Sequence, residues 1–561
     1  MYDLVIDNAT IIDGLGNPAR HGGLAVTNGR IAALGADLGS ARERIDAQGL
    51  VLSPGIVDLH THFDAQLIWD PFATPSVALG VTSVVIGNCG FTLAPCKPEH
   101  RDRTLRNLTH VEGMSLDALN AGVQWDFESY PDYLNMLERR GTVPNVASFV
   151  GHSAVRTFVL GEDASKRAAS KDEVAQMRRI VSEAMAVGAV GFATTTLEQH
   201  SGEGGVPMPS RLADEYEISE LTAALGDAGK GVFMLTKGNN TAVPWLEQLA
   251  ARNGRPIMIA AMFVDPNDPQ RVFAELQEIS AACDRGHELW AQVGCFPFFM
   301  EFTLRSPYPL EACAAWKPAM EAADEATYRR VLSDPVLRVN LKAEAKTRTI
   351  PNRFSYHSMA NMTIKSVTQT KNKNLVGRNV TDLARAAGKD PFDWYFDFGL
   401  DGELDAMVEV ALFNTDENTM RDLLTHRNAA VALSDAGAHL AFLCDAAFGL
   451  HMFGHWARDR GDMTLEQAVH AVTGKPASIY RIKDRGRLLP GAYADLLLFD
   501  PASVGRGEKR RMFDLPAGAS RVDTPAVGVR GVWVNGERVV DGNGPINNGK
   551  RPGMLMRDFA V

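Results

Sequence analysis

The sequence predicts an α/β fold: a (β/α)8 TIM barrel with a small β-sandwich formed by both termini. Three observations point there. Between residues 55 and 483, apolar β-branched runs alternate with helical stretches, the pattern of parallel βαβ units. The end segments, 1–54 and 484–561, are β-rich, and neither has enough strands to bury a face alone. The 561 residues exceed one ordinary core and suit a barrel with additions.

Taken in order, Asp3–Ile6, Ala9–Ile12, Leu24–Val26 and Ile31–Leu34 read as strands, the last two joined by the tight-turn pair Asn28-Gly29. Their counterparts at the far end are Ala494–Asp500, Val527–Val529, Val532–Val534 and Arg538–Val540, with a second such turn at Asn535-Gly536. The barrel region offers eight strand candidates: Ile56–Leu59, Thr82–Ile86, Asn145–Val150, Ala189–Ala193, Gly231–Leu235, Pro256–Ala261, Glu288–Val293 and Ala430–Leu433. Helices are expected over 171–187, with Ser170 and Glu173 as a capping box, and over 215–228, 245–252, 271–285 and 464–472. The stretch 296–375 is irregular and reads as an insertion at the barrel mouth, either a lid or a packed excursion.

Composition excludes several classes. A net charge of −11 argues against a nucleic-acid surface, which needs clustered Lys and Arg. No 18-residue apolar run is present, so no membrane span is expected. The start lacks a basic and then apolar leader, and the six cysteines show no CxxC and no framework spacing; a cytoplasmic protein with reduced thiols is expected. A small-molecule substrate fits best, and self-association is compatible with the sequence.

The chemistry gathers at predicted strand ends, where barrel enzymes place their sites. His60 and His62 lie two apart on the first strand and project from one face, a ready pair of metal ligands. Cys89 follows the second strand between glycines, as a ligand or reactive thiolate. Asp435 follows the eighth, with no apolar role to play; it can bind metal and take a proton from water. His152 and Arg156 follow the third strand, placed to polarise a carbonyl and to bind a carboxylate. His200, His439 and Lys237 also follow strands, the histidines as substrate contacts and Lys237 as a further ligand or cation. Phe296–Phe299 and Trp290 read as an apolar wall or as core; His451 and His455 read as helix packing.

Ser53-Pro54-Gly55-Ile56-Val57-Asp58-Leu59-His60-Thr61-His62, Ser434-Asp435 and Pro490-Gly491-Ala492-Tyr493-Ala494-Asp495-Leu496 resemble the amidohydrolase superfamily. Gly87-Asn88-Cys89-Gly90 and Gly151-His152 bring the chain nearest to its D-aminoacylase (N-acyl-D-amino-acid deacylase) branch. The resemblance implies a barrel hydrolase of a carbon–nitrogen amide bond, with His60, His62, Cys89 and Asp435 as metal ligands and Asp435 as proton shuttle. It breaks after the fifth and sixth strands, where the branch carries histidines and this chain reads Leu235-Thr236-Lys237 and Ala260-Ala261-Met262. One zinc ion is therefore expected rather than two. The competing expectation is a metal-assisted lyase or decarboxylase on the same scaffold.

Overall fold

The computed structural model describes residues 1–311, 313–346, 354–440 and 444–559. Eight parallel strands form one sheet in chain order: β1 (Ile56–Asp58), β2 (Val81–Ile86), β3 (Asn145–Gly151), β4 (Gly191–Thr195), β5 (Val232–Thr236), β6 (Ile257–Ala260), β7 (Leu289–Val293) and β8 (Ala429–Val431). β2 to β6 are buried along their whole length, as expected of strands covered on both faces. Past the ends of β8 and β1, Ala436 bridges Thr61 in parallel, the Asp435 amide donates to the His60 carbonyl (3.1 Å) and the His62 amide to the Ala436 carbonyl (2.7 Å). These contacts bring the last strand back to the first, giving a TIM-type barrel.

The helices that matter for the site are α1 (Arg101–Val111), α2 (His152–Leu160), α3 (Lys171–Val187) and α4 (Glu215–Ala228). α3 has the expected capping box, with Ser170 and Glu173 each accepting from the other's backbone amide. α2 starts at His152 itself, so His152 and Arg156 lie on a helix directly after β3.

Nine strands from both ends of the chain share a second sheet. Its joint is Val51–Pro54, paired antiparallel with Leu496–Phe499 so that Leu52 faces Leu498. The two runs expected at the N-terminus form one strand, Tyr2–Ile11, interrupted by a register shift between Ile6 and Ala9. Asn28-Gly29 and Asn535-Gly536 have the positive φ angles a tight hairpin turn requires. Strand pairing and packing place this sheet and the barrel in one compact unit, 1–262, 276–295 and 423–561.

A second unit comprises residues 263–275 and 296–422. It contains the segment expected to be irregular, and instead of irregular chain it is built from helices and a three-stranded antiparallel sheet, Phe298–Phe302, Met407–Phe413 and Met362–Ser366. Phe298 packs on Phe263 (5.4 Å between ring centres) and Phe413 (6.1 Å). Its aromatics thus form this unit's own apolar contacts. Among the described residues, no helix is long and apolar enough to cross a membrane.

Candidate metal centre

The tip of β1 presents His60 and His62, both almost fully buried. His60 Nε2 lies 3.4 Å from Cys89 Sγ and 3.4 Å from Asp435 Oδ1; His62 Nε2 lies 3.1 Å from the same Asp435 oxygen. The ligand atoms of His60, His62 and Cys89 all fall within 4.8 Å of one another. A tetrahedral zinc with bonds of about 2.0–2.3 Å has ligand–ligand separations of about 3.3–3.8 Å. Two imidazoles, a thiol and a carboxylate converging at such spacings fit a zinc ion by geometry and by donor chemistry.

Backbone strain marks the same place. Cys89 and Asp435 have φ values of 57° and 56°, and His439 52°, all in the left-handed region that favours glycine. Glycines on either side let the chain approach closely: a Cβ on Gly437 would lie 2.6 Å from the His62 backbone, and one on Gly90 2.7 Å from the Ala193 carbonyl oxygen.

Four residues that sequence reasoning missed orient these groups. Gln292 on β7 holds the far side of His60, whose Nδ1–H donates to its Oε1 at 2.7 Å; Gln292 in turn donates its amide to the Ala432 carbonyl. A buried glutamine in the otherwise apolar Leu289–Val293 was the available signal. Glu112, just past α1, sets its carboxylate 3.0 Å from His62 Nδ1. Thr236, the last residue of β5, donates to Cys89 Sγ at 3.1 Å. Asp58 accepts from the His60 amide at 3.2 Å and from the Ser434 hydroxyl, tying β1 to the segment after β8.

The charges are strongly coupled. Burial disfavours a charged His60, but Cys89 and Asp435 outweigh it and raise the imidazole above its ordinary range. His62 is raised further: burial is opposed there by Glu112, Asp435 and Cys89. Burial would push the Cys89 thiol up, yet His60 and His62 bring it below its usual value. Glu112 and Asp435 are likewise held low against burial, Glu112 first by His62, and Asp435 by its His62 hydrogen bond and then His60. The thiol and carboxylates thus favour positive charge on the imidazoles, and the imidazoles favour negative charge on them. A divalent cation supplies the same positive charge and can take the place of a proton there.

The other expected residues sort into two groups. Asp435 Oδ2 faces His439 Nε2 at 3.6 Å. Thr195 Oγ1 lies 2.8 Å from His200 Nδ1, and the His200 ring meets Phe91 edge-on. Burial brings His200 down to about 3, with Glu112, His439, Asp435 and His62 all within electrostatic range. These histidines therefore belong to the neighbourhood of the centre. His152 and Arg156 do not take the roles expected of them. Spaced i, i+4 on α2, they face the same way and close on Glu217 of α4: His152 Nε2 lies 2.7 Å from one Glu217 oxygen and Arg156 donates to the other. Thr194 takes the second His152 nitrogen, and the Ala164 and Arg167 carbonyls take more of the guanidinium. Fully buried charges must be paired, and this triad is committed to doing so. Lys237 lies half-buried just past β5, with its backbone amide donating to the Ala260 carbonyl. Trp290 is engaged with Glu288 through its indole N–H. The His451 and His455 rings stack on one another at 4.6 Å.

The chain is similar to known proteins over nearly its whole length. A family model described as "Amidohydrolase family" matches residues 43–540. The chain is 30% identical to the D-aminoacylase of Alcaligenes xylosoxydans xylosoxydans over 96% of this chain and 94% of that protein. It is 28% identical to the N-acyl-D-aspartate deacylase of the same organism, over 99% and 95%. Among solved structures, a D-aminoacylase studied for one-metal activation and second-metal attenuation of its binuclear center superposes with a TM-score of 0.67 at 26% identity, covering both chains fully. The N-acyl-D-glutamate deacylase of Bordetella bronchiseptica, complexed with zinc and a phosphonate mimic of the tetrahedral intermediate, superposes at 0.68 and 25% identity, covering 99% of this chain and all of that one.

Proposed function

The chain belongs to the amidohydrolase family, and we propose that it is a zinc-dependent deacylase that hydrolyses the amide bond of N-acyl amino acids. The observation that carries this reading is the convergence of His60, His62, Cys89 and Asp435 on one point at the mouth of a TIM barrel. We propose a single ion: after the fifth strand, where the resemblance implies a histidine, this chain has none, and the strand's last residue, Thr236, is bonded to Cys89. Bound there, zinc would supply a Lewis acid and lower the pKa of water toward neutrality.

The protein's own groups do the rest. Asp435 takes the proton of the attacking water and returns it to the leaving nitrogen. Gln292 and Glu112 hold the two imidazoles. His200 and His439 are assigned to substrate contacts beside Asp435. With Arg156 sequestered by Glu217, Lys237 is the cation assigned to the substrate carboxylate. The aspartate- and glutamate-specific relatives leave the substrate side chain as a separate variable. The terminal sheet is read as a small β-sandwich. Its support is one apolar cluster that joins Leu4, Leu24, Leu52, Leu496 and Trp533 from strands across the sheet. Six cysteines outside any disulfide agree with a reducing, cytoplasmic setting.

The test is metal analysis of the purified protein alongside amine release from N-acyl-D- and N-acyl-L-amino acids. One zinc per chain is expected, with activity lost to a chelator and restored by zinc. Asp435→Asn should lower kcat by roughly 10²–10⁴-fold at saturating zinc. Chelator-resistant activity would overturn the reading.

A further inference from the structure

The two metal-facing histidines are held by different chemistry. His60 is held by the neutral amide of Gln292 at 2.7 Å. His62 is held by a carboxylate, Glu112 Oε1, 3.0 Å from Nδ1, with both side chains within a few per cent of full burial. The oxygen lies off the imidazole N–H direction, so the pair is joined by charge rather than by an aligned hydrogen bond. Glu112 also makes a second, main-chain contact: its carbonyl accepts from the amide of His439. His439 sits at φ 52°, a conformation that a non-glycine residue keeps only when its surroundings enforce it. His439 Nε2 in turn faces Asp435. One residue thus touches both a β1 ligand and the loop of the β8 ligand, which lie 373 positions apart.

We propose that Glu112 is a positioning residue for the metal centre. Its carboxylate holds the His62 ring by charge in the orientation that turns Nε2 toward Asp435, and its carbonyl fixes the loop that carries Asp435 and His439. A carboxylate behind a ligand histidine fixes the tautomer and ring orientation, and losing such a partner costs roughly 10–100-fold in metal affinity. The inference rests on the metal-centre reading above and adds a residue to it. Glu112 approaches no reacting atom in this role; it acts through His62 and His439.

The experiment is zinc affinity of the full-length protein, measured by chelator competition, for wild type, Glu112→Ala and Glu112→Gln. Absorption spectra of the cobalt-substituted proteins and thermal unfolding of the metal-free proteins accompany it. Glu112→Ala should bind zinc roughly 10–100-fold more weakly and show shifted cobalt bands, with the metal-free protein still folded and unfolding cooperatively at a lower midpoint. Glu112→Gln, which keeps an acceptor but loses the charge, should recover part of the affinity. Affinity within about twofold of wild type in folded Glu112→Ala overturns the proposal. Should that variant not fold, Glu112→Gln decides alone: a loss of about threefold or more supports the role and a smaller loss overturns it. A wild-type protein that binds no zinc would instead sink the metal-centre reading itself.

Discussion

Thr236 Oγ1 donates a hydrogen bond to Cys89 Sγ across 3.1 Å. The fifth strand therefore reaches the centre through a hydroxyl that holds Cys89. Thr236→Val keeps the shape and removes the donor. Hydrogen bonds to charged groups are worth about 1.5–3 kcal/mol, so zinc affinity should fall about tenfold or more while stoichiometry stays at one. Chelator competition and metal analysis check the two halves of this expectation.

Lys237 follows directly. If it receives the substrate carboxylate, Lys237→Met should lower kcat/KM by about tenfold or more through KM. A substrate whose carboxylate is capped as an amide should lose nothing. Equal losses on both substrates would assign Lys237 elsewhere.

The His152–Glu217–Arg156 triad predicts a stability effect instead. Glu217→Ala strands a buried cation and should cost about 3–5 kcal/mol of folding stability, read by denaturant unfolding. Acid should weaken the same triad. Burial lowers the His152 imidazole, with Glu217 opposing. Below about pH 6.5 the unfolded chain therefore binds a proton that the folded one refuses, and stability falls as pH falls. Glu217, held low by His152 and Arg156 against burial, adds a loss of the same sign at lower pH. His152→Gln should flatten the first part of this decline. Unfolding midpoints at pH 5 and 8 would show it.

Alkylation should separate Cys89 from four of the other five thiols. Its thiol is lowered by His60 and His62 against burial, whereas burial raises Cys96, Cys283 and Cys295 and takes Cys444 up to about 11. Thiolate is the reactive form. Iodoacetamide should mark Cys89 before those four in chelator-treated protein, and zinc should protect it. Peptide mass mapping reads both outcomes; preferential labelling of any of the four would contradict the coupling.

The barrel was legible because its strands are short apolar runs spaced by helices, and all eight appear near their expected places. The grouping of His60, His62, Cys89 and Asp435 was legible because each follows a strand end where it has no apolar task. Glu112 and Gln292 were not: each acts across the barrel on a histidine distant in sequence, and no local period announces such a partner. His152 and Arg156 misled for a related reason. Their position after β3 suggested solvent and substrate, but their i, i+4 spacing on α2 aims both at Glu217, a residue of another helix. Within 296–375, helices and strands form where the aromatic sequence hid the periodicity.

The bridge between Thr61 and Ala436 has a consequence for biosynthesis. His60, His62, Cys89 and Glu112 all emerge from the ribosome within the first fifth of the chain, and Asp435 only after three quarters of it. On the reading proposed above, a nascent chain displays three of the four metal ligands for most of its translation. The site would close only when the eighth strand returns to the first, so metal loading would report a completed barrel.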